Sequence, residues 1–179
     1  MMNTLEFEKI VESKVPITEI IDLKNRKYIT NLNFPGLYVF WFNNHDNAIN
    51  NLKRNLIIKG PNGIDNNICW DWNLEKSSVC LYVGKSYNLQ KRLGLHLLLK
   101  TPNLYETQSD YLNKKTTSCQ LRSGFDYLLQ SKSNIDIVKE LSNRIDVSII
   151  KEVDFIKRFY KEDLLIGSLL PWFNVDSER

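Results

Sequence analysis

Six side chains in this sequence are of types, and at spacings, that could act on an anionic substrate. Arg92 and His96 stand at i and i+4 in the stretch LQKRLGLH, one turn apart on one side of a helix. A guanidinium is always charged and forks onto phosphate oxygens; an imidazole beside it can donate to the same group or shuttle its proton. The plainer alternative is an Arg92 paired with a carboxylate and a satisfied core histidine. Tyr38 and Tyr82 lie in strand-like runs, each two residues from a glycine, Gly36 and Gly84. If the two runs pair, both phenols converge beside the helix carrying Arg92. There a phenol can position water, or accept its proton if nearby cations lower its pKa. Lys85, directly after Gly84, is either a phosphate contact or an ordinary solvated charge.

The sixth is Glu162. Phe155, Phe159, Ile166 and Leu169 are spaced four, seven and three apart and form one helical stripe. Lys157, Arg158 and Lys161 are assigned to the opposite, solvated side, and Glu162 fills the gap in the stripe. A charge on an apolar face is costly unless paired. Glu162 is therefore either salt-bridged to a buried cation or a ligand for a hard divalent ion such as magnesium.

The elements that must position these groups follow from pattern. GLYVFWF at 36–42 is apolar throughout and reads as a central strand covered on both faces. Alternation puts Tyr38, Phe40 and Phe42 on one face and Leu37, Val39 and Trp41 on the other. VCLYVG at 79–84 is a second strand. A helix over about 88–100 starts after Ser86 or Asn88, both competent caps, and carries leucine on most sides, so it should be largely buried. DVSIIKEV at 146–153 is a further strand, and a final helix runs from about Asp154 to Leu169, stopped by Pro171. Short helices are expected over 4–13 and 17–23, and further ones over 119–130 and 135–142. Between the first two strands, 56–59, the turn at 61–63 and 68–72 suggest a hairpin or an irregular excursion.

Composition bounds the reading. The chain has 179 residues, 42% hydrophobic and 25% charged, which suits one domain with a proper core. A net charge of +3 is compatible with nucleic acid but is shared by many proteins that bind none. Three cysteines with no CxxC spacing argue against a disulfide framework or zinc cluster and for buried thiols in a reducing cytosol. The N-terminal MMNTLEFEKI has no apolar signal core, and no apolar run approaches the roughly 20 residues of a membrane span. A cytoplasmic location and no membrane partner are the expectation.

Together the residues resemble the GIY-YIG nuclease superfamily. Its first tripeptide appears as Gly36-Leu37-Tyr38 and its second as Tyr82-Val83-Gly84, followed by Lys85. Arg92 stands at the family arginine position, ten residues after Tyr82, and His96 four further on. Glu162 matches the family glutamate, and Leu165-Ile166, Pro171 and Asn174 match the pattern that follows it. The resemblance covers about 36–42, 79–98 and 146–174. Two features depart from it: the middle residue of the first tripeptide is Leu37, and Tyr38 and Tyr82 lie 44 apart where a short hairpin is usual.

The resemblance implies an α/β (α+β) fold, with a small central antiparallel sheet of about three strands flanked by helices. It implies a single domain over 1–179: core 34–174, N-terminal helical extension 1–33 and insertion 43–78. It also implies a DNA endonuclease of restriction, mobile-element or repair type that hydrolyses phosphodiester bonds with one Mg2+ or Mn2+ ion. Glu162 would hold the metal, and Tyr82, or Tyr38 through water, would activate the nucleophile. Arg92 would stabilise charge on the phosphate, Lys85 and His96 would position it, and Asn174 would orient the site. DNA contacts are expected from Lys53, Arg54, Lys114, Lys115 and Arg122. Cutting both strands would need a homodimer or two binding events. Two alternatives are a catalytically silent nucleic-acid-binding module on the same fold and an unrelated interaction protein with Glu162 in an internal salt bridge.

Overall fold

The run GLYVFWF forms a strand with a neighbour on each side. A computed structural model of the chain describes residues 4–25, 27–43, 55–59, 65–69, 78–97 and 142–174. In chain order the elements are α1 (Thr4–Glu12), β1 (Val15–Pro16), α2 (Ile17–Ile20), β2 (Ile21–Asp22), β3 (Lys27–Tyr28) and β4 (Gly36–Asn43). They continue with β5 (Asn55–Lys59), β6 (Asp65–Cys69), β7 (Ser78–Ser86), α3 (Leu89–His96), β8 (Ile145–Lys151) and α4 (Phe155–Leu169). The fold is α+β. Its main sheet is four-stranded and antiparallel, in the order β1-β8-β4-β7, with smaller pairs β2-β3 and β5-β6.

The core is double because β4 alternates. Tyr38, Phe40 and Phe42 pack with Leu89, Leu93 and Leu97 and with Ile17, Ile20 and Ile21 on one face. Leu37, Val39 and Trp41 pack on the other face against Ile10 and against Leu165, Ile166 and Leu169. Thus α2 and α3 cover one side of the sheet, and α1 and α4 the other. Every residue of β4 but the last is buried, as a central strand of this composition requires.

The caps explain where the two site-bearing helices start. The Asn88 side chain accepts from Lys91 N at 2.8 Å to open α3. Asp154 accepts from Lys157 N at 3.0 Å to open α4. Leu170 takes a left-handed backbone at the end of α4, and Pro171 follows. The chain then turns onto the outer edge of β7: Trp172 N donates to Cys80 O and Phe173 N to Leu81 O, at 3.3 and 2.8 Å. This tail covers an edge that would otherwise present unpaired backbone groups.

Several elements differ from the sequence reading. The sheet has a fourth strand, β1, which pairs Val15 and Pro16 with Val147 and Asp146. The N-terminal extension is thus not only helical. The helix expected over 17–23 ends at Ile20, and Ile21–Asp22 pairs with Lys27–Tyr28 instead. The excursion does contain a hairpin, β5 with β6, but its second strand is 65–69 rather than 68–72. Helix α3 is buried on one side only: Leu89 and Leu93 are buried while Leu95 is exposed. The helices expected over 119–130 and 135–142 lie outside the described residues, apart from Ser142. Among the described residues no helix is long and apolar enough to cross a membrane.

The largest correction concerns α4. Its buried residues are Arg158, Glu162 and Leu165, while Phe155 and Phe159 are 49% and 43% exposed. The buried face is therefore rotated from the Phe155–Phe159 stripe onto Arg158, which was expected in solvent. Arg158 is stable there because Nη1 donates to the carbonyls of Glu152 and Val153, at 2.9 and 3.0 Å. Lys161 bridges Glu6 at 2.7 Å and Glu152 at 3.0 Å, tying α1 to α4.

Candidate active site

Strand β7 carries a bulge just where the site begins. Phe40 pairs with Tyr82 and Trp41 with Cys80, so Leu81 has no partner across the ladder. Leu81 and Tyr82 consequently both face the Tyr38 side of the sheet, while Cys80 and Val83 face the other. Tyr38 and Tyr82 stack, ring centroids 6.1 Å apart. Gly84, the register partner of Tyr38, lies under the Tyr38 ring: a Cβ there would fall 2.5 Å from Tyr38 Cζ. A side chain at Gly84 would therefore expel Tyr38.

Helix α3 brings the cation and the imidazole to the phenols. Tyr38 Oη meets His96 Nε2 at 2.6 Å, and Arg92 Nε donates to the same hydroxyl at 3.4 Å. The His96 ring also packs against Tyr82 and Phe40. Tyr38 and His96 are wholly buried, and Tyr82 nearly so. Burial raises the Tyr38 pKa well above the usual tyrosine range; the neighbouring Tyr82 adds to this and Arg92 opposes it. Burial likewise raises Tyr82, again against the pull of Arg92. Burial works against the Arg92 charge, but its interactions with the two phenols outweigh this and leave its pKa raised. Both phenols are thus protonated at neutral pH beside a permanent cation.

The carboxylate arrives from the opposite face. Glu162 on α4 is buried and forms an ion pair with Lys85 on β7, whose side chain is 20% exposed. Glu162 also acts electrostatically on Tyr38 and Tyr82, raising both. The two halves of the cluster therefore meet across β7, the edge strand. Asn174 grips that strand from outside: its amide donates to Val83 O and accepts from Val83 N, both at 2.7 Å. In this way the tail after Pro171 fixes the strand that carries Tyr82 and Lys85.

The seven candidate residues Tyr38, Tyr82, Lys85, Arg92, His96, Glu162 and Asn174 are thus brought to one end of the β4–β7 pair. The expected DNA contacts Lys53, Arg54, Lys114, Lys115 and Arg122 lie outside the described residues. Among the described residues there is no group of three or more His, Cys, Asp or Glu side chains placed to hold a metal. A single buried carboxylate, Glu162, is nevertheless a hard oxygen donor. Magnesium is commonly held by one or two carboxylates, with substrate phosphate and water completing its shell. Glu162 fits that role once Lys85 moves aside.

Arg158 supports the site from the buried side of α4 rather than facing solvent, and its position four before Glu162 places it on the same helical face. Also unforeseen is a strip of rings beside the site. Tyr87 stacks on Phe155 at 6.1 Å, Phe155 meets Phe159 edge-on at 4.7 Å, and Lys85 Nζ lies 3.7 Å from the Phe159 ring centroid. Compared with family models, curated proteins and solved structures, the chain shows no match to any of them.

Proposed function

We propose that this chain is a GIY-YIG-type endonuclease that hydrolyses phosphodiester bonds in DNA with magnesium or manganese. The observation that carries the reading is the meeting of Arg92, His96 and two phenols with a buried glutamate across a single edge strand. These groups are scattered over 125 positions of sequence, from Tyr38 to Glu162. A phosphate entering beside Lys85 would find cations on two sides. Arg92 faces the charge that grows on its oxygens, and Lys85 leaves Glu162 to bind the phosphate instead. A divalent ion on Glu162 would supply Lewis-acid polarisation of the phosphate and stabilise the leaving oxygen. Tyr82 is protonated and orients the attacking water by hydrogen bonding. Tyr38, wholly buried, is a positioning residue that holds His96 and Arg92 through one hydroxyl. Asn174 keeps β7 in place. The free, buried Cys80 suits a reducing cytoplasm. Cutting both strands of a duplex would require two copies or two encounters.

A second reading is favoured by one observation. The Lys85–Glu162 pair is the internal salt bridge expected of an unrelated interaction protein, a silent module that cuts nothing. Incubating supercoiled plasmid with the chain, with and without magnesium, separates the two: the enzyme nicks it only with the ion, and the silent module leaves it intact.

A further inference from the structure

We propose that the strip Tyr87–Phe155–Phe159 is a stacking platform for unpaired bases, so that the adjoining centre acts on a single-stranded or locally opened nucleic acid. The inference rests on the nuclease reading and names its substrate class. Tyr87 is 70% exposed, and Phe155 and Phe159 are also exposed. Three contiguous exposed rings on a small domain mark an interaction surface. The rings are held in place from below. The Arg158 guanidinium lies 4.6 Å from the Tyr87 ring centroid and 5.9 Å from that of Phe155, anchored by two backbone carbonyls. A platform already fixed loses little freedom when a ligand stacks on it.

Charge and position select the occupant. The strip ends at Lys85, over Phe159, and Lys85 is the ion-pair partner of Glu162. Rings leading to a cation and a candidate phosphate centre match a strand that alternates flat bases with phosphates. Asp154, next to Phe155 in sequence, has its side chain engaged as the cap of α4. A closed duplex hides its base faces and offers groove edges and phosphates, which rings cannot stack upon.

The test uses the full chain in EDTA with labelled oligonucleotides: a thymidine strand, a strand of abasic spacers and a duplex of equal length. The thymidine strand should bind about tenfold or more tighter than the other two. Tyr87→Ala and Phe155→Leu should each weaken that binding about five- to a hundredfold and leave duplex binding unchanged. Tyr87→Trp should retain it, and Ile156→Ser, at a 76% exposed position off the strip, should not alter it. Equal binding of thymidine and abasic strands, or unchanged binding by both ring variants, overturns the platform. So does a wild-type dimer in solution that Tyr87→Ala dissolves, since the occupant would then be a second copy. If the chain cuts nucleic acid with magnesium but the ring variants bind normally, only the platform fails. If it neither binds nor cuts any nucleic acid, the nuclease reading fails with it.

Discussion

The Tyr38 ring occupies the space that Gly84 leaves by having no side chain. The two are register partners across β4 and β7, and Tyr38 in turn holds His96 and Arg92 through its hydroxyl. Gly84→Ala should therefore push Tyr38 out of the cluster and destabilise the fold by about 1–3 kcal/mol, the usual range for overpacking a core. Urea unfolding checks this; a variant with an unchanged midpoint would show that the ring is not seated there.

Asn174 acts through backbone rather than substrate. Asn174→Ala removes its two hydrogen bonds to Val83 and leaves both groups to find water at the β7 edge. A loss of about 1–3 kcal/mol is expected for two such bonds. Hydrogen exchange at the Val83 amide should accelerate at the same time, and unaltered protection there would contradict the assignment.

Arg158 and Lys157 are adjacent yet should behave oppositely. Arg158→Ala strips a buried guanidinium from two carbonyls and from the rings of Tyr87 and Phe155. It should cost about 1.5–3 kcal/mol, as for hydrogen bonds to a charged group. Lys157→Ala, at an exposed position, should stay within about 0.5 kcal/mol of wild type. Thermal unfolding of the pair reads the helix phase directly, and the reverse order would restore the Phe155–Phe159 stripe as the buried face.

What the sequence made legible was what repeats. The seven-residue run of β4 carries a period of two, and its faces are as alternation assigns them. Asn88, one of two candidate caps with Ser86, could be read because capping depends on one local side chain. Strands β1, β2 and β3 have two residues each, too short to carry any period. The bulge at Leu81 leaves no sequence signal either, although it decides which way Cys80 and Tyr82 face. The phase of α4 is not legible from hydropathy, which counts an arginine as solvated. Hydropathy does not register two carbonyls six and five residues back that satisfy it. Of the candidate site, residue types and order were visible. The Lys85–Glu162 pairing, the Asn174 grip on Val83 and the ring strip depend on contacts between distant segments.

Alkaline pH should destabilise the protein through its buried phenols. Burial holds Tyr38 and Tyr82 above the ordinary value of 10.0 and pushes Tyr28 up to about 12. The unfolded chain therefore releases these protons first. The stabilisation is fully present below about pH 10 and is lost as pH rises toward the folded-state values. Urea midpoints for wild type should fall between about pH 10 and 12, and less steeply in Tyr38→Phe and Tyr82→Phe. Equal slopes in all three proteins would mean that the phenols titrate normally.

The central claim turns on Glu162. Wild type and Glu162→Gln, both shown folded by circular dichroism, should be incubated with plasmid and with single-stranded and duplex oligonucleotides, with magnesium, manganese or EDTA. Wild type should cleave only with a divalent ion, and Glu162→Gln should bind nucleic acid yet leave it uncut. Cleavage by a folded Glu162→Gln at the wild-type rate, or no cleavage by wild type with either metal, would contradict the account.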